Sequence, residues 1–306
     1  MANVIRLLKN INSFIRKETE DDQSLGDDLP VFPGKDKVEE LVEDFETTVA
    51  RLLRRQRKRY LDLLSSFVAK DDGETLQAIL SYLQSEFFDA DLFAAELAEE
   101  ASRFLQMTIE EFAGVIMDAI DQDIQFEVLS SRSTTWIEEW SEQLGELMQT
   151  SSQKSVEKIF VEGIKEGHGI GKIESELAEL PDFSRDRARK TAITEVLTAS
   201  SVAHQESFSQ SPAVTGKRWK HSGVKSITPR QNHMALDGTV VGVDEDFEIP
   251  DSGEFAQHPR DTRLSAKERI SCHCVLGPEV DEDIFGLSKE EKEEIRRQAL
   301  EELGVS

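Results

Sequence analysis

Cysteine, long apolar runs and positive charge are all scarce in this chain, and each scarcity excludes something. Two of the 306 residues are cysteines, Cys272 and Cys274, one residue apart, so no disulfide framework holds the fold. In an extended segment positions i and i+2 face the same way, but their Cα atoms stand about 6.5–7 Å apart, at the limit for a disulfide. Reduced thiols are the simplest reading. No apolar run approaches the roughly 18 residues that span a bilayer. Arg6, Lys9, Asn10 and Asn12 interrupt the first apolar positions, so the N-terminal segment does not read as a secretory signal. Lysine and arginine total 36 against 61 aspartates and glutamates, a formal net charge of −25. Such a chain repels a nucleic-acid backbone at long range, because phosphate binding draws on basic side chains that displace counterions. That argues against a protein devoted to coating DNA and leaves room only for local basic patches.

What is present is mostly helical. A chain of this length holds two domains and buries a substantial core, and 38% hydrophobic with 32% charged residues suits a globular protein. Val4, Leu7, Leu8, Ile11 and Ile15 form one stripe on a short basic helix, which would dock on a partner, a membrane surface or its own domain. An acidic link follows, so residues 1–34 read as arm and linker. From Lys35 to Lys70 one long helix is predicted, buried through Val42, Phe45, Val49, Leu52, Tyr60, Leu63 and Phe67. Its acidic first half and basic second half follow the helix dipole. Arg51, Arg54, Arg55, Arg57, Lys58 and Arg59 are the candidate contact for an acidic partner or DNA, the plainer alternative being a solvated face. Further helices are expected over Thr75–Phe87, Leu92–Met107 and Ile109–Ile120. After a polar break at Ser130–Thr134 another runs from Trp136 to Gly163, with Trp136, Trp140, Leu144 and Leu147 as anchors. Residues 35–165 thus form a helical bundle region. The glycines of Gly163–Gly171 fail the phosphate-loop spacing and read as a helix-to-helix turn. Ser184 is the predicted N-cap of a helix from Arg185 to Phe208, on which Glu195 is a structural hydrogen-bonding group rather than a catalytic acid. A capping box at Ser288 and Glu291 opens an acidic terminal helix within residues 279–306, expected to pack through Ile295, Ala299, Leu300 and Leu303 or to reach a neighbouring subunit.

The stretch from Trp219 to Cys274 differs in texture. It carries both cysteines and four of the six histidines. Leu236-Asp237-Gly238-Thr239 reads as a tight turn with Gly238 at positive φ, and Val240, Val241 and Val243 as a strand. Trp219, then Arg230-x-x-His233, Leu236-Asp237-Gly238, Phe247, Pro250, Pro259 and the closing Ile270-Ser271-Cys272-His273-Cys274-Val275 resemble the phage Mu F-like head-morphogenesis family. Upstream, Gly167-His168-Gly169-Ile170 with Ile173 and Leu177, then Ala188-x-x-Thr191-Ala192-x-Thr194-Glu195, are similar to that family's helical lead-in. The likeness runs from about Lys158 to Pro278. One departure is His273, where the family usually has arginine. The resemblance implies a mostly α, α+β architecture: an elongated helical N-terminal region, then a small domain over residues 166–278 with short strands and a β-hairpin. It also implies a minor capsid protein that binds the portal and capsid or scaffold proteins, transiently contacts DNA during packaging or ejection, and sits in the virion near the portal after assembly in the host cytoplasm.

The same stretch holds the one constellation with chemistry in it. Cys272 and Cys274 project together, and the turn after His233 can bring that imidazole alongside, with His273, His258 or Asp237 as a fourth ligand. A structural zinc ion wants four such groups, and a loop-rich domain gains folding free energy by binding one. The competing reading is two small buried hydrophobes on a strand. A Cys272–His233 nucleophile pair would need a partly exposed thiolate. A metal-dependent nuclease on His233, Asp237 and His258 would need basic residues for its substrate, for which Arg260, Arg263, Lys267 and Arg269 are the candidates.

Overall fold

The computed structural model describes residues 25–68, 81–223 and 229–302. The expected N-terminal amphipathic helix, residues 75–80 of the Thr75–Phe87 helix, and Leu303 lie outside the described residues, and 81–88 are helical. In chain order the helices are α1 (Leu25–Asp28), α2 (Val38–Val68), α3 (Phe93–Ile120), α4 (Ser131–Lys165), α5 (Ile170–Ala178), α6 (Arg185–Gln210), α7 (Gln231–Ala235), α8 (Ala266–Arg269), α9 (Glu282–Phe285) and α10 (Lys289–Glu302). The strands are β1 (Val214–Lys220), β2 (Val240–Gly242), β3 (Phe247–Ile249), β4 (Glu254–Ala256) and β5 (Val275–Val280). The protein is therefore mostly α, with short antiparallel strands near its C-terminal end, as its periodicity and turn residues predict. Among the described residues two compact units emerge: one from 25–41, 107–134, 193–223 and 229–302, the other from 42–68, 81–106 and 135–192.

The second unit is packed by apolar helix faces. Phe45 stacks on Phe104 with centroids 4.3 Å apart, and Tyr60 meets Phe87 and Phe183. Gln56 donates to Asp91 at 2.6 Å, and the Tyr60 hydroxyl shares that carboxylate. Burial beside Asp91 drives the Tyr60 phenol pKa upward. Gly145 lets α4 approach α3 so closely that a Cβ there would sit 2.3 Å from the Ala94 carbonyl oxygen. Ser184 caps α6 as expected, its hydroxyl accepting from the Arg187 N–H at 3.1 Å.

Three local expectations are corrected. Residues 93–120 form one helix rather than two, since nothing around Thr108, itself buried, breaks the ladder. The supposed polar break at 130–134 is instead the start of α4, where Glu206 accepts from the Ser130 N–H at 2.7 Å, from the Ser130 hydroxyl at 2.9 Å and from the Ser133 hydroxyl. A carboxylate there satisfies helix N-terminal donors and complements the dipole. Leu147 is exposed, and Met148 takes the buried position beside Leu144 and Trp140.

The first unit is organised on α6, which is buried on nearly every side from Ala192 to Phe208 although much of it is polar. His204 on it packs edge-on against Phe32 and Phe208. The sheet runs in the order β2-β1-β5, all antiparallel, with Trp219 opposite Leu276, and β3 pairs with β4 in a separate hairpin. Gly238 has the predicted positive φ of 80° in the turn that leads to β2. α10 carries the expected capping box, with Ser288 and Glu291 exchanging hydrogen bonds. Its docking is ionic more than apolar: buried Lys292 reaches Asp121 and Asp123, each at 2.9 Å, and buried Arg296 lies 3.5 Å from Glu127.

Candidate metal centre

Three segments of the first unit converge. α7 supplies His233, the turn following α8 supplies Cys272, and Cys274 stands just before β5. The Arg230-x-x-His233 spacing acquires a reason here. The Arg230 guanidinium donates to the carbonyls of Lys267 at 2.6 Å and Ile270 at 2.5 Å, capping the end of α8. Three residues on, and so on the same side of the helical turn, His233 faces the thiols. Asn232 adds a bond from its Nδ2 to Glu268 at 3.0 Å. Ser271, with φ of 55°, bends the chain so that Cys272 enters the interior.

His233 Nδ1 is 3.5 Å from Cys272 Sγ and 3.8 Å from Cys274 Sγ, and the three ligand atoms all lie within 4.8 Å of one another. On the other ring edge, Nε2 is 3.1 Å from Glu268 Oε2, without the alignment of a hydrogen bond. All four side chains are buried. Trp219, fully buried, covers His233 edge-on with centroids 5.5 Å apart. A small cleft of about 20 Å³, bordered by His221, Arg230, His233, Cys272, His273 and Cys274, opens beside the cluster.

The two thiols are pulled in opposite directions. A hydrogen bond from Cys274, with help from His233 and Arg260, holds the Cys272 pKa well below the ordinary thiol value, while that same bond and burial push Cys274 up. Arg260 is buried and has no carboxylate in ion-pair contact among the described residues. Its Nη1 donates to the carbonyls of Cys272 at 2.6 Å and Cys274 at 2.7 Å, and its Nη2 to the Leu197 carbonyl at 2.8 Å and the Ser201 hydroxyl at 2.6 Å. Burial lowers its pKa, and the two neighbouring thiols oppose that shift.

His233, Cys272 and Cys274 are thus a set that could hold a metal ion, and no other group of three or more such side chains occurs among the described residues. The proposed fourth ligands stand differently. His273 borders the cleft, buried, with neither ring nitrogen hydrogen-bonded, and burial pushes its pKa down to about 4. His258 is buried with Nδ1 donating to the Pro259 carbonyl at 3.0 Å. The Asp237 carboxylate accepts from the His221 N–H at 2.8 Å. Glu195 is buried 3.9 Å from Arg269.

The basic residues invoked for a nuclease do not form a substrate surface. Arg260 and Arg269 are buried, and Arg263 is held by Asp246 and Asp261 at 2.8 and 2.7 Å. In the α2 cluster, Arg51 pairs with Glu100, Arg55 with Glu96 and Lys58 with Asp62, while Arg57 donates to the Ala178 carbonyl. Arg54 and Arg59 have no ion pair among the described residues. No helix there is long and apolar enough to cross a membrane. Sequence reasoning grouped His233 with Cys272 and Cys274, and the fold brings the three side chains together. It missed Glu268, which carries no local signal, and it read the buried Arg260 as a cation for a nuclease substrate.

Comparison with known proteins agrees with the site's boundaries. The family described as phage Mu protein F like protein matches residues 154–277, from within α4 to the middle of β5. The chain is 50% identical over 301 residues to YqbB of Bacillus subtilis strain 168, spanning 98% of this chain and 99% of that protein, whose name assigns no function. No solved structure matches. The matched segment ends three residues past Cys274 and contains every element that builds the cluster, and on these grounds the chain belongs to the phage Mu protein F-like family of head-morphogenesis proteins.

Proposed function

We propose that this protein is a minor head protein of a tailed phage that joins the procapsid by binding the portal and the inner capsid, and remains inside the virion near the portal. The observation that carries the reading is the family match over 154–277. A role by contact rather than turnover is supported by burial: His233, Cys272, Cys274 and Glu268 have relative exposures of 1, 1, 3 and 4%, which admits no substrate. The Cys272–His233–Glu268 alignment has the connectivity of a thiol hydrolase, and the same burial opposes it. In this reading an ion at the cluster ties His233 on α7 to the cysteines before β5 and turns over no substrate. Arg54 and Arg59, which have no ion pair among the described residues, are the proposed contacts for an acidic partner surface or for DNA.

Co-expression with the portal protein of the same phage tests the proposal. The expected result is co-elution of the two, weakened when Arg54 and Arg59 are both changed to glutamate. A chain that associates with neither portal nor capsid protein, and is absent from purified virions, would overturn it.

A further inference from the structure

We infer that the His233–Cys272–Cys274 cluster binds one divalent thiophilic cation, with Glu268 orienting the imidazole and Arg260 holding the backbone of both cysteines. This rests on the metal reading above and deepens it, because it assigns the charge class of the ion and the two side chains that build its surroundings.

The first argument is spacing. Bond lengths of about 2.3 Å to sulfur and 2.05 Å to nitrogen, at tetrahedral angles, place sulfur and nitrogen ligands about 3.6 Å apart. The separations here are 3.5 and 3.8 Å, so both sulfur–nitrogen spacings match edges of a coordination tetrahedron, and the two sulfurs lie within 4.8 Å of each other. Its open corner has the cleft beside it, where one solvent molecule fits.

The second argument is the outer contacts. An imidazole that ligates through one nitrogen nearly always gives its other N–H to a carboxylate or carbonyl. Glu268 Oε2 lies 3.1 Å from His233 Nε2, while Nδ1 faces both thiols. Glu268 is itself fixed by Asn232 at 3.0 Å. In the occupied site this contact would be a hydrogen bond, with Nε2–H donating and the carboxylate accepting. Arg260 bonds both cysteine carbonyls and two groups on α6, so the loop carrying the thiols is pinned to the most buried helix of the unit.

The third argument is charge. A metal-bound cysteine is a thiolate and a metal-bound imidazole is neutral, so the ligand set itself carries two negative charges. A divalent ion brings that set to zero, whereas a monovalent ion leaves it negative and a trivalent ion positive. Uncompensated charge in an interior is strongly unfavourable. Sulfur and imidazole donors together select zinc and its chemical neighbours over magnesium or calcium.

The test uses the full chain, purified without chelator. Elemental analysis should give about one zinc per chain, and cobalt(II) exchanged into the site should show a thiolate-to-metal charge-transfer band that is lost in C272S/C274S. Chelator competition should show a 10- to 100-fold weaker zinc affinity for E268Q, with far-ultraviolet circular dichroism unchanged. E268D should recover part of that loss. Should E268Q not fold, the nitrogen chemical shifts of His233 in the zinc-loaded wild type decide instead: Nε2 protonated supports the assignment, Nδ1 protonated overturns it. A wild-type chain that takes up neither zinc nor cobalt overturns the metal reading altogether. A wild type that binds zinc while E268Q binds equally well overturns the role of Glu268 and leaves the metal reading standing.

Discussion

The two units solve the problem of a stable interior differently. The helical unit of residues 42–106 and 135–192 buries aromatic and aliphatic faces, and Glu46, which meets Arg185 and Arg189, is the one carboxylate or cationic side chain buried there among the described residues. The other unit buries Glu206, Lys217, Arg260, Glu268, Lys292, Arg296 and the histidines 204, 233, 258 and 273. Lys217 shows the consequence. It is fully buried, donates to Gln205 at 2.9 Å and lies over the Phe247 ring, and burial pushes its pKa down to about 8. Apolar packing tolerates small changes of shape and ignores pH. A polar interior is specific about partners and depends on protonation.

That contrast can be broken at several points. The largest effect is expected from Phe45→Ala in the helical unit. It removes the ring stacked on Phe104, and chemical denaturation should show a loss of about 3–5 kcal/mol, equal at pH 7 and pH 5. A loss that changes with pH would mean that this unit's stability is also tied to titration.

The next effect belongs to the polar interior. His204 is buried and its pKa is lowered to about 4, first by burial, while its Nδ1 donates to the Ser200 carbonyl at 2.7 Å. Below its unfolded pKa of about 6.5 the unfolded chain takes up a proton that the folded chain refuses until about 4, so stability falls as pH falls through that window. At pH 5 this single group accounts for about 2 kcal/mol relative to pH 8. His204→Phe should flatten the acid limb by about that amount, and an unchanged limb would assign it to His258 or His273. The smallest effect is at the terminal helix, where Ser288→Ala removes the capping hydroxyl and should lower stability by about 1 kcal/mol in a denaturant series. A much larger drop would show that α10 depends on its cap more than on Lys292 and Arg296.

Much of the fold was legible because helices that bury one face announce it. The stripe along α2, the Ser184 cap, the Ser288 box and the Gly238 turn follow from local rules. α6 was legible in extent and not in role. Its residues Ser200, Ser201, Gln205, Glu206 and Ser207 look like a solvated surface, and only tertiary partners such as Ser130, Lys217 and Arg260 make that polar helix a core. The candidate site divides the same way. Two cysteines at i and i+2 face the same way in an extended segment, and that local signal pointed to the pair although they lie between α8 and β5. The Glu268 contact and the buried Arg260 depend on segments brought together by the fold, and an arginine among other basic residues is read as surface charge.

The pairing of β1 has a bearing on when this protein becomes usable. Both its neighbours, residues 240–242 and 275–280, are synthesised after it, as are His233, Cys272 and Cys274. Until residue 240 is made β1 has no strand to lie against, and until residue 275 is made it lacks β5. The flank of α6 that Arg260 will occupy stays wet until that arginine is in place. Sheet closure across some sixty positions is slow relative to helix formation, so a truncated or stalled chain carries a helical region with no finished partner domain.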